Sequence, residues 1–434
     1  LVAGPLLCLI IFLSMPSSYV TADGSVAEFS QAGRACLGVL VWMAIWWCFE
    51  TAPIAVTSLL PMVLFPLFGV CKPAAAMAPY ASDTIFLFMG AFILAAGVTK
   101  WGLDRRIALF VMSCIGATPK KIVFGIMLTT GTLSAFMSNT ACAAMMVPVA
   151  IALVNLVHST NDPNDKEAAV REHRFTICLL LALAYSASIG GMATLIGSPP
   201  NGIYMRFMEQ TYGTSVSIVD WMKVGVPVAV MMFLVAYFVL ANIMFRDMGG
   251  EVPGGREWVK KELAGMGKMS RGEIAIGLCF LIAAVLWFTG SAIRGIEVDG
   301  CRPFRFLNDA VIAMMMGVIS FLIPVDDKGD TAMDWETANR EISWDVLLLF
   351  GGGLSLAAAI QSTGVAALIG AQVTVLSGAP FWALLLGVVT LVTFATGVTS
   401  NTALAAMMMP LLAAVCSALN LPAQPVLFAT ALAA

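Results

Sequence analysis

The sequence predicts an all-α integral membrane protein, a polytopic bundle of apolar helices. Hydrophobic residues make up 60% of the 434 residues, charged residues make up 11%, and the mean hydropathy is +0.91. Soluble domains have about 45–50% apolar and about 25% charged residues, so this chain needs lipid as its solvent. Its apolar runs are long and lack period-2 alternation, which favours helices over a membrane β-barrel. The net charge of −3 leaves no basic stripe for nucleic acid.

A membrane crossing needs about 20 apolar residues. The first run has no charged residues before it, and we expect a truncated first transmembrane helix rather than a signal peptide. We predict the helices, of which the fourth and seventh are broken, at 1–15, 35–49, 53–70, 83–117, 121–137, 140–157, 176–205, 222–245, 273–293, 307–325, 344–370, 380–399, 401–419 and from 424 onward. The polar connections lie at 17–34, 158–174, 206–221, 246–272, 294–306 and 326–343.

Lysine and arginine residues predict the orientation of the chain, because basic loops stay in the cytoplasm. The 246–272 connection carries six basic residues, and 118–121 and 158–174 carry five more between them. We therefore place these three segments on the cytoplasmic side of the cell membrane. After Arg340 there is no lysine or arginine, so the C-terminal third is oriented by counting spans alone.

Two pairs of runs are too short and too close together to be simple crossings. Residues 121–137 and 140–157 are separated only by Ser138-Asn139-Thr140, and 380–399 and 401–419 only by Ser400-Asn401-Thr402. Polar residues at such a joint are typical of the tip of a re-entrant hairpin, which is tolerated at membrane depth where protein or water meets it. The sequence therefore predicts two helical hairpins, at 121–157 and 380–419.

The two hairpins belong to an internal repeat. SNTACAAMMVP at 138–148 and SNTALAAMMMP at 400–410 agree at nine of eleven positions. The same spacing pairs Asp83 with Asp345, Gly102 with Gly364 and Ser134 with Thr396. Chance similarity of Ala- and Met-rich helices does not explain a register kept from Asp83 to Pro148. Repeats with broken, polar elements are typical of secondary transporters, and the predicted orientation makes this repeat inverted.

A third interruption lies in the run at 176–205. It spans Gly190-Gly191 to Gly197-Ser198-Pro199-Pro200-Asn201. Tandem prolines end a helix, and glycines permit close approach of the backbone. A kink made only for packing is the alternative. GSPPN is not a phosphate loop, because the GK[ST] that follows in such loops is missing.

The hairpin tips predict binding of an anion together with a cation. Each SNT begins a helix, whose N-terminus offers free N–H groups and about half a positive charge. Two such ends suit an anion with two negative groups, and carbonyls freed at the breaks suit Na⁺. Neither hairpin core contains lysine or arginine, so co-bound Na⁺ would supply the missing positive charge.

Other chemistry-bearing residues give weaker signals. Glu50, Asp83 and Asp345 are either proton or cation sites or, more simply, caps and interface residues. The ten cysteines are scattered without a CxxC, and both histidines lie in one polar loop. An intramembrane enzyme needs a nucleophile and a base, and a channel needs a continuous polar lining; the sequence favours neither. We therefore expect no enzymatic activity.

The sequence resembles the divalent anion/sodium symporter family over nearly its whole length. The resemblance rests on WWCFETAPIAVTSLLP, the two SNT motifs and TLIGSPPN. It implies Na⁺ as the coupling ion and a homodimer in which each subunit has a scaffold part and a moving transport part. It assigns sodium site 1 to Ser134, Ser138, Asn139 and Gly197, sodium site 2 to Thr396, Thr399 and Asn401, and substrate carboxylates to Ser138, Asn139, Thr140, Ser198, Pro199, Ser400, Asn401 and Thr402.

One departure from the family pattern concerns the end of the chain. Family members have a second GSPPN-like break late in the sequence, and this chain ends at Ala434 before it. We therefore expect the second repeat to be incomplete. The predicted parts are scaffold helices at 1–82, a first repeat at 83–221, linking scaffold helices at 222–343 and a second repeat at 344–434.

The predicted function is sodium-coupled symport of C4-dicarboxylates such as succinate, fumarate and malate by alternating access. Two alternatives stay open within the family, namely a carrier of sulfate or another dianion, and a sodium-independent dicarboxylate exchanger. An ion channel is a further alternative of a different class. The nearly identical tips weakly favour a short, symmetric dianion over a bulky tricarboxylate.

Overall fold

The computed structural model describes residues 1–21, 25–116, 118–160, 165–248, 255–297, 301–327, 329–373 and 378–434. The predicted polar connections at 17–34, 158–174, 246–272, 294–306 and 326–343 therefore lie partly outside the described residues. The regular secondary structure of the described chain is helical apart from one short β-hairpin and an isolated bridge, which confirms the all-α fold class. It divides into two compact units, the first formed by Leu1–Phe86, Pro199–Val216 and Ser343–Ala434 and the second by Leu87–Ser198 and Ser217–Ile342.

The first unit contains the only sheet among the described residues and most of the second repeat. The strands β1 (Ser18–Val20) and β2 (Val26–Glu28) pair antiparallel, with Tyr19 opposite Ala27. The helices of this unit are α1 (Ala3–Ser14), α2 (Gln31–Cys48), α3 (Ile54–Ser58), α4 (Leu60–Leu67), α5 (Pro73–Met77), a 3₁₀ turn (Ala78–Ala81), α11 (Pro199–Tyr212), α17 (Trp344–Ser362), α18 (Val365–Gln372), α19 (Phe381–Thr396), α20 (Asn401–Ala418) and α21 (Ala423–Ala433).

The second unit contains the first predicted hairpin and the basic segments. Its helix α6 (Asp83–Trp101) begins in the first unit. The other helices are α7 (Leu103–Ile115), α8 (Pro119–Ser134), α9 (Asn139–Thr160), α10 (Lys166–Gly191), α12 (Ile218–Phe238), α13 (Gly255–Gly265), α14 (Arg271–Arg294), α15 (Asp309–Ser320) and α16 (Trp335–Glu341). A π-helical turn at Val239–Met244 extends α12.

Seven of the described helices are long and apolar enough to cross a membrane. These segments are Pro73–Trp101, Asn139–His158, Lys166–Gly191, Ile218–Met244, Arg271–Arg294, Trp344–Ser362 and Asn401–Ala418. Shorter apolar helices are Ala3–Ser14, Ile54–Leu67, Asp309–Ser320, Phe381–Thr396 and Ala423–Ala433. The predicted polytopic membrane protein is thereby confirmed.

The helix boundaries repeat at the spacing found in the sequence. Helix α8 runs from Pro119 to Ser134, and α19 runs from Phe381 to Thr396, which are the matching positions of the second repeat. Gly102 and Gly364 both have a left-handed backbone, with φ of 69° and 81°, just before α7 and α18. The division of 344–370 corrects our prediction of one continuous helix. The cause is Gly364, whose counterpart Gly102 lies inside a run that is predicted to be broken.

Other differences from the predicted elements have local causes. Helix α2 begins at Gln31 because the Ser30 hydroxyl accepts a hydrogen bond from the Gly33 N–H. The run at 53–70 divides at Leu59, since Pro61 lies in the first turn of a new helix. The connections at 17–34, 246–272 and 326–343 contain the β-hairpin, α13 and α16, which their polar composition does not indicate.

Close helix packing surrounds the three consecutive glycines of α17. A Cβ on Gly351 would overlap the ring of Tyr80, and one on Gly352 would overlap the Ser58 carbonyl oxygen and lie 2.9 Å from the Ser58 Cα. Side chains larger than hydrogen do not fit at these positions, so the glycines hold α17 against the preceding helices of its own unit. In the second unit, α7, α8, α9, α10 and α13 share a hydrophobic cluster that includes the fully buried Val123, Leu153 and Leu179.

An ion pair fixes the end of α6 beside α16. Lys100 Nζ lies 2.9 Å from Asp334 Oδ2, and the Thr337 N–H donates a 2.7 Å hydrogen bond to Asp334 Oδ1. These two donors hold the pKa of Asp334 well below its usual range. The Asp334 side chain is nevertheless 43% exposed, so water screens much of the attraction.

Candidate functional site

The first SNT tip lies between two helices that run side by side in opposite directions. The Cys142 thiol of α9 donates to the Thr130 carbonyl of α8 at 3.3 Å, which joins positions on either side of the tip. The Ser138 hydroxyl accepts a 3.2 Å hydrogen bond from the Ala141 N–H and so caps α9. Asn139 is therefore not needed as the cap, and its amide is directed elsewhere. That this hairpin re-enters the membrane stays a prediction.

The Asn139 side chain meets three oxygen atoms of neighbouring segments. Amide oxygen and nitrogen are assigned from the hydrogen-bonding pattern rather than observed. With its nitrogen facing them, the two N–H groups of the amide are shared among three acceptors, Ser134 Oγ at 2.8 Å, the Ala187 carbonyl at 3.0 Å and the Gly197 carbonyl at 3.3 Å. The Ser134 hydroxyl, which is fully buried, also donates to the Ala187 carbonyl at 2.6 Å. We call these four residues the Asn139 cluster.

Glycines on α10 and in the break beyond it make room for the Asn139 cluster. A Cβ on Gly191 would overlap Asn139 Oδ1 and lie 3.1 Å from Asn139 Cγ. A Cβ on Gly197 would lie 2.8 Å from the Gly191 carbonyl oxygen and 2.9 Å from that of Ala135. In the broken helix predicted at 176–205, the glycines thus let the backbone of the break lie close to α10 and to the first tip.

Thr194 connects the break after α10 to the first SNT tip by hydrogen bonds. Its hydroxyl donates to the Ala135 carbonyl, and its oxygen accepts a 3.1 Å hydrogen bond from the Gly197 N–H. Thr194 is 1% exposed, so these bonds lie out of solvent. Since the Gly197 N–H is bound in this way, its carbonyl is held facing Asn139.

The Asn139 cluster has the composition of a site for a hard cation. Turning the amide over directs Oδ1 at the Ser134, Ala187 and Gly197 oxygens. Four oxygen atoms then face one another, and only that of Ser134 carries a hydrogen to donate. A positive charge stabilises such a group of oxygens. Carbonyl and hydroxyl oxygens are ligands preferred by hard cations such as Na⁺. Charged side chains do not occur in the sequence of the hairpin between 122 and 157, so the positive charge here comes from the start of α9.

The second SNT tip has the same cap but a different environment. The Ser400 hydroxyl accepts a 3.4 Å hydrogen bond from the Ala403 N–H and caps α20. The Thr396 and Thr399 hydroxyls donate to carbonyls of their own helical turns, at 2.8 and 2.9 Å. Asn401 is exposed, and within the described residues no hydrogen bond joins it to either threonine. The three predicted ligands of sodium site 2 are neighbours along the chain, and their assignment to one ion stays a prediction.

The other predicted substrate residues lie at or near helix starts. Thr140 is exposed, and Thr402 is half-buried. Ser198 precedes α11 and Pro199 begins it, both half-buried. Their assignment to substrate carboxylates stays a prediction.

The structure places Ser134, Asn139 and Gly197 next to one another, and it adds two partners that sequence reasoning misses, Ala187 and Thr194. The binding of sodium by these residues stays a prediction. Ala187 contributes only its carbonyl, so its residue type carries no signal. Thr194 does carry one, because it is the hydroxyl residue three positions before Gly197 in TLIGSPPN. Ser138, which the family resemblance assigns to sodium site 1, has its hydroxyl engaged in the helix cap.

These features define a class of protein, a multi-pass helical membrane protein whose long helices are interrupted by polar and glycine-rich breaks. Residues 8–434 match the model of the sodium:sulfate symporter transmembrane region, and the chain belongs to this family. The family is one of sodium-coupled anion symporters, which confirms the class that the motifs predict.

Curated relatives cover almost the whole chain. It is 35% identical over 423 residues to a protein of Staphylococcus saprophyticus named sodium-dependent dicarboxylate transporter SdcS, covering 97% of this chain and 78% of the relative. It is also 35% identical over 415 residues to the protein of the same name from Staphylococcus aureus, covering 95% and 77%.

Proposed function

We propose that this chain is a secondary active transporter that carries C4-dicarboxylates such as succinate, fumarate and malate together with sodium ions by alternating access. The observation that supports sodium coupling is the Asn139 cluster, where an amide, a buried hydroxyl and two carbonyls converge. The relatives named as sodium-dependent dicarboxylate transporters support the choice of substrate. Such a protein moves its substrate unchanged, so we infer no enzymatic step.

Sodium ions have a physical role in binding a dianion here. Burying two negative charges without positive partners is strongly unfavourable, and each helix start offers only about half a unit of charge. Neither hairpin core supplies a lysine or arginine. In the proposal, one Na⁺ binds at Ser134, Ser138, Asn139 and Gly197, and a second binds at Thr396, Thr399 and Asn401. The negative charge of the substrate is then neutralised by sodium ions that leave the site together with it.

The substrate carboxylates are proposed to meet the two tips. Helix starts present free N–H groups, and the tip hydroxyls and amides add further donors. We assign this contact to the tips and the break, namely Ser138, Asn139, Thr140, Ser198, Pro199, Ser400, Asn401 and Thr402. We also propose that the transporter is a homodimer of subunits with scaffold and transport parts in the cell membrane, as the family resemblance implies.

A second candidate substrate is sulfate, because the family description names sodium:sulfate symport. Sulfate is also a dianion, so the same helix ends and sodium ions would serve it. The two candidates differ in the distance between their negative groups, which competition measures directly.

The deciding experiment is uptake of radiolabelled succinate into proteoliposomes containing the purified chain. We expect saturable uptake with a sodium gradient and little with a potassium gradient. Excess unlabelled fumarate or malate should compete, and sulfate and citrate should compete weakly. Uptake that is independent of sodium would support a dicarboxylate exchanger, and stronger competition by sulfate than by fumarate would support a sulfate carrier.

The charge of the transported form gives a second test. A site made of helix ends and sodium ions keeps its charge across mild pH, so it should select the succinate dianion. The carboxyls of succinate have ordinary pKa values of about 4 to 6. Uptake at fixed total succinate and fixed sodium should therefore fall as the pH drops through that range, because the dianion is depleted. Uptake that rises towards pH 5 would point to proton coupling instead, with Glu50 as the first residue to test.

A further inference from the structure

A groove on the second unit lies between α7 and α13, away from the Asn139 cluster. It encloses about 570 Å³. Its walls are mostly apolar and include Leu103, Ile107, Phe110, Leu263, Ala264 and Met269. Phe110 is 59% exposed and Met269 is 46% exposed, so large apolar side chains line an open surface.

In a membrane protein, an open apolar groove of this kind suits an acyl chain. Aliphatic and aromatic side chains offer an acyl chain the same surroundings as the bilayer interior. The groove is also bounded by α13, an amphipathic helix with Trp258, Val259 and Leu263 packed against the hydrophobic cluster of the unit.

Basic residues border the same groove. Lys260 lines it directly, and Lys261 and Lys268 are exposed close by in sequence. The segment 256–271 contains five basic and only two acidic residues. One of the two, Glu262, is already paired with Arg105 at 2.8 Å. Among the described residues, Lys260 forms no ion pair, so its charge is available to a ligand.

The arginine that lines the groove is not available in this way. Arg106 Nε lies 2.6 Å from Glu273 Oε1, and its terminal nitrogens donate to Glu273 Oε2 and to the Gly267 and Met266 carbonyls. Glu273 is only 3% exposed, so this pair is enclosed. The pair anchors α7 to the start of α14 and leaves Lys260 as the lining cation.

We propose that the groove binds one anionic glycerophospholipid, with an acyl chain along Ile107, Phe110 and Met269 and its phosphate beside Lys260. Basic pockets beside apolar helix surfaces recognise lipid headgroups in this way. The lipid spans α7 and α13, so bound lipid stabilises the attachment of these helices to each other. Zwitterionic lipid offers the same acyl chain but no net charge, and it binds more weakly.

The test is native mass spectrometry of the full chain purified in detergent, titrated with dioleoyl phosphatidylglycerol or dioleoyl phosphatidylcholine. We expect one phosphatidylglycerol to bind several-fold more tightly than phosphatidylcholine and to raise the melting temperature of the chain. Lys260→Gln should weaken phosphatidylglycerol binding roughly fivefold, the effect of one lysine near an anionic lipid surface. The matched control is Lys166→Gln, which removes an exposed lysine from the start of α10.

Two further arms separate the headgroup from the acyl chain. Ala264→Trp fills the groove and should abolish binding of both lipids, while soluble glycerol phosphate should not compete at millimolar concentration. Equal binding of the two lipids, or equal losses in Lys260→Gln and Lys166→Gln, would overturn the proposal. Displacement by glycerol phosphate alone would also overturn it, since the site would then be for free phosphate esters.

Discussion

The two tips share a sequence, yet the structure predicts different effects of the same substitution on stability. Asn139→Ala removes an amide that donates to oxygens of Ser134, Ala187 and Gly197. Asn401→Ala removes an exposed side chain from the corresponding position. Because the cap is supplied by Ser138 in one tip and Ser400 in the other, neither substitution removes the cap.

The difference follows from the contacts of each amide. A hydrogen bond within a protein contributes about 0.5–1.5 kcal/mol net, and a buried acceptor left without a donor adds to the loss. Asn139→Ala should therefore lower the free energy of unfolding by roughly 2–4 kcal/mol. Asn401→Ala should change it by less than about 0.5 kcal/mol, as for most exposed positions.

The measurement is unfolding in mixed micelles of mild detergent and dodecyl sulfate, followed by tryptophan fluorescence. Potassium replaces sodium, so that ion binding does not contribute. Adding sodium should then stabilise the wild type more than either variant, because each variant lacks a proposed ligand of one sodium site. Equal losses in the two variants, or a loss below about 1 kcal/mol in Asn139→Ala, would refute the assignment of the amide contacts. Both variants should transport poorly, because the proposed function needs both tips.

Three other predictions concern single positions. Gly191→Ala adds a Cβ that overlaps Asn139 Oδ1 and should raise the sodium concentration for half-maximal uptake about tenfold. The control is Gly387→Ala, whose added Cβ meets no neighbouring atom and which should leave this concentration unchanged. Glu50 has a left-handed backbone with φ of 45°, so Glu50→Gly should stabilise the chain by about 1 kcal/mol. Asp334→Asn keeps the helix cap but loses the ion pair, and should lower stability at neutral pH by about 0.5–1 kcal/mol.

The sign of the pH dependence follows from the depressed pKa of Asp334. The unfolded carboxyl titrates near about 3.9, so its contribution to stability is complete above that pH. It is lost as the pH falls below that value through the lower pKa of the folded state. Wild type and Asp334→Asn should therefore converge in stability at acid pH. A difference between them that is constant from pH 7 to pH 3 would contradict the ion pair, as would an Asp334→Asn protein as stable as wild type at pH 7.

Much of the fold follows from physical patterns in the sequence. The apolar runs predict helices because lipid leaves the backbone no other partner than itself. The repeat spacing pairs positions 119–134 with positions 381–396 from the sequence alone. In the structure, each of these two segments is one helix with the matching first and last residues. The break at Gly364 was also predictable from Gly102, since a glycine at the same place in a repeat serves the same turn.

The candidate site was only partly predictable, because half of it is backbone. Asn139 and Ser134 stand out as polar residues in an apolar run. The carbonyls of Ala187 and Gly197 do not, since every residue has one, and only the fold decides which carbonyls face a neighbour. Hydroxyls also have more than one use, and Ser138 serves as a helix cap although the family resemblance assigns it to the ion.

The contrast between Asn139 and Asn401 has its origin in what each tip packs against. Asn139 meets Ala187, Gly191 and Gly197, which lie on α10 and the break that follows it. An identical tip motif therefore specifies the helix start and its cap, while the contacts of the Asn139 amide are completed by a separate interrupted helix. Substitutions in that helix should change sodium dependence as much as substitutions in the tip itself.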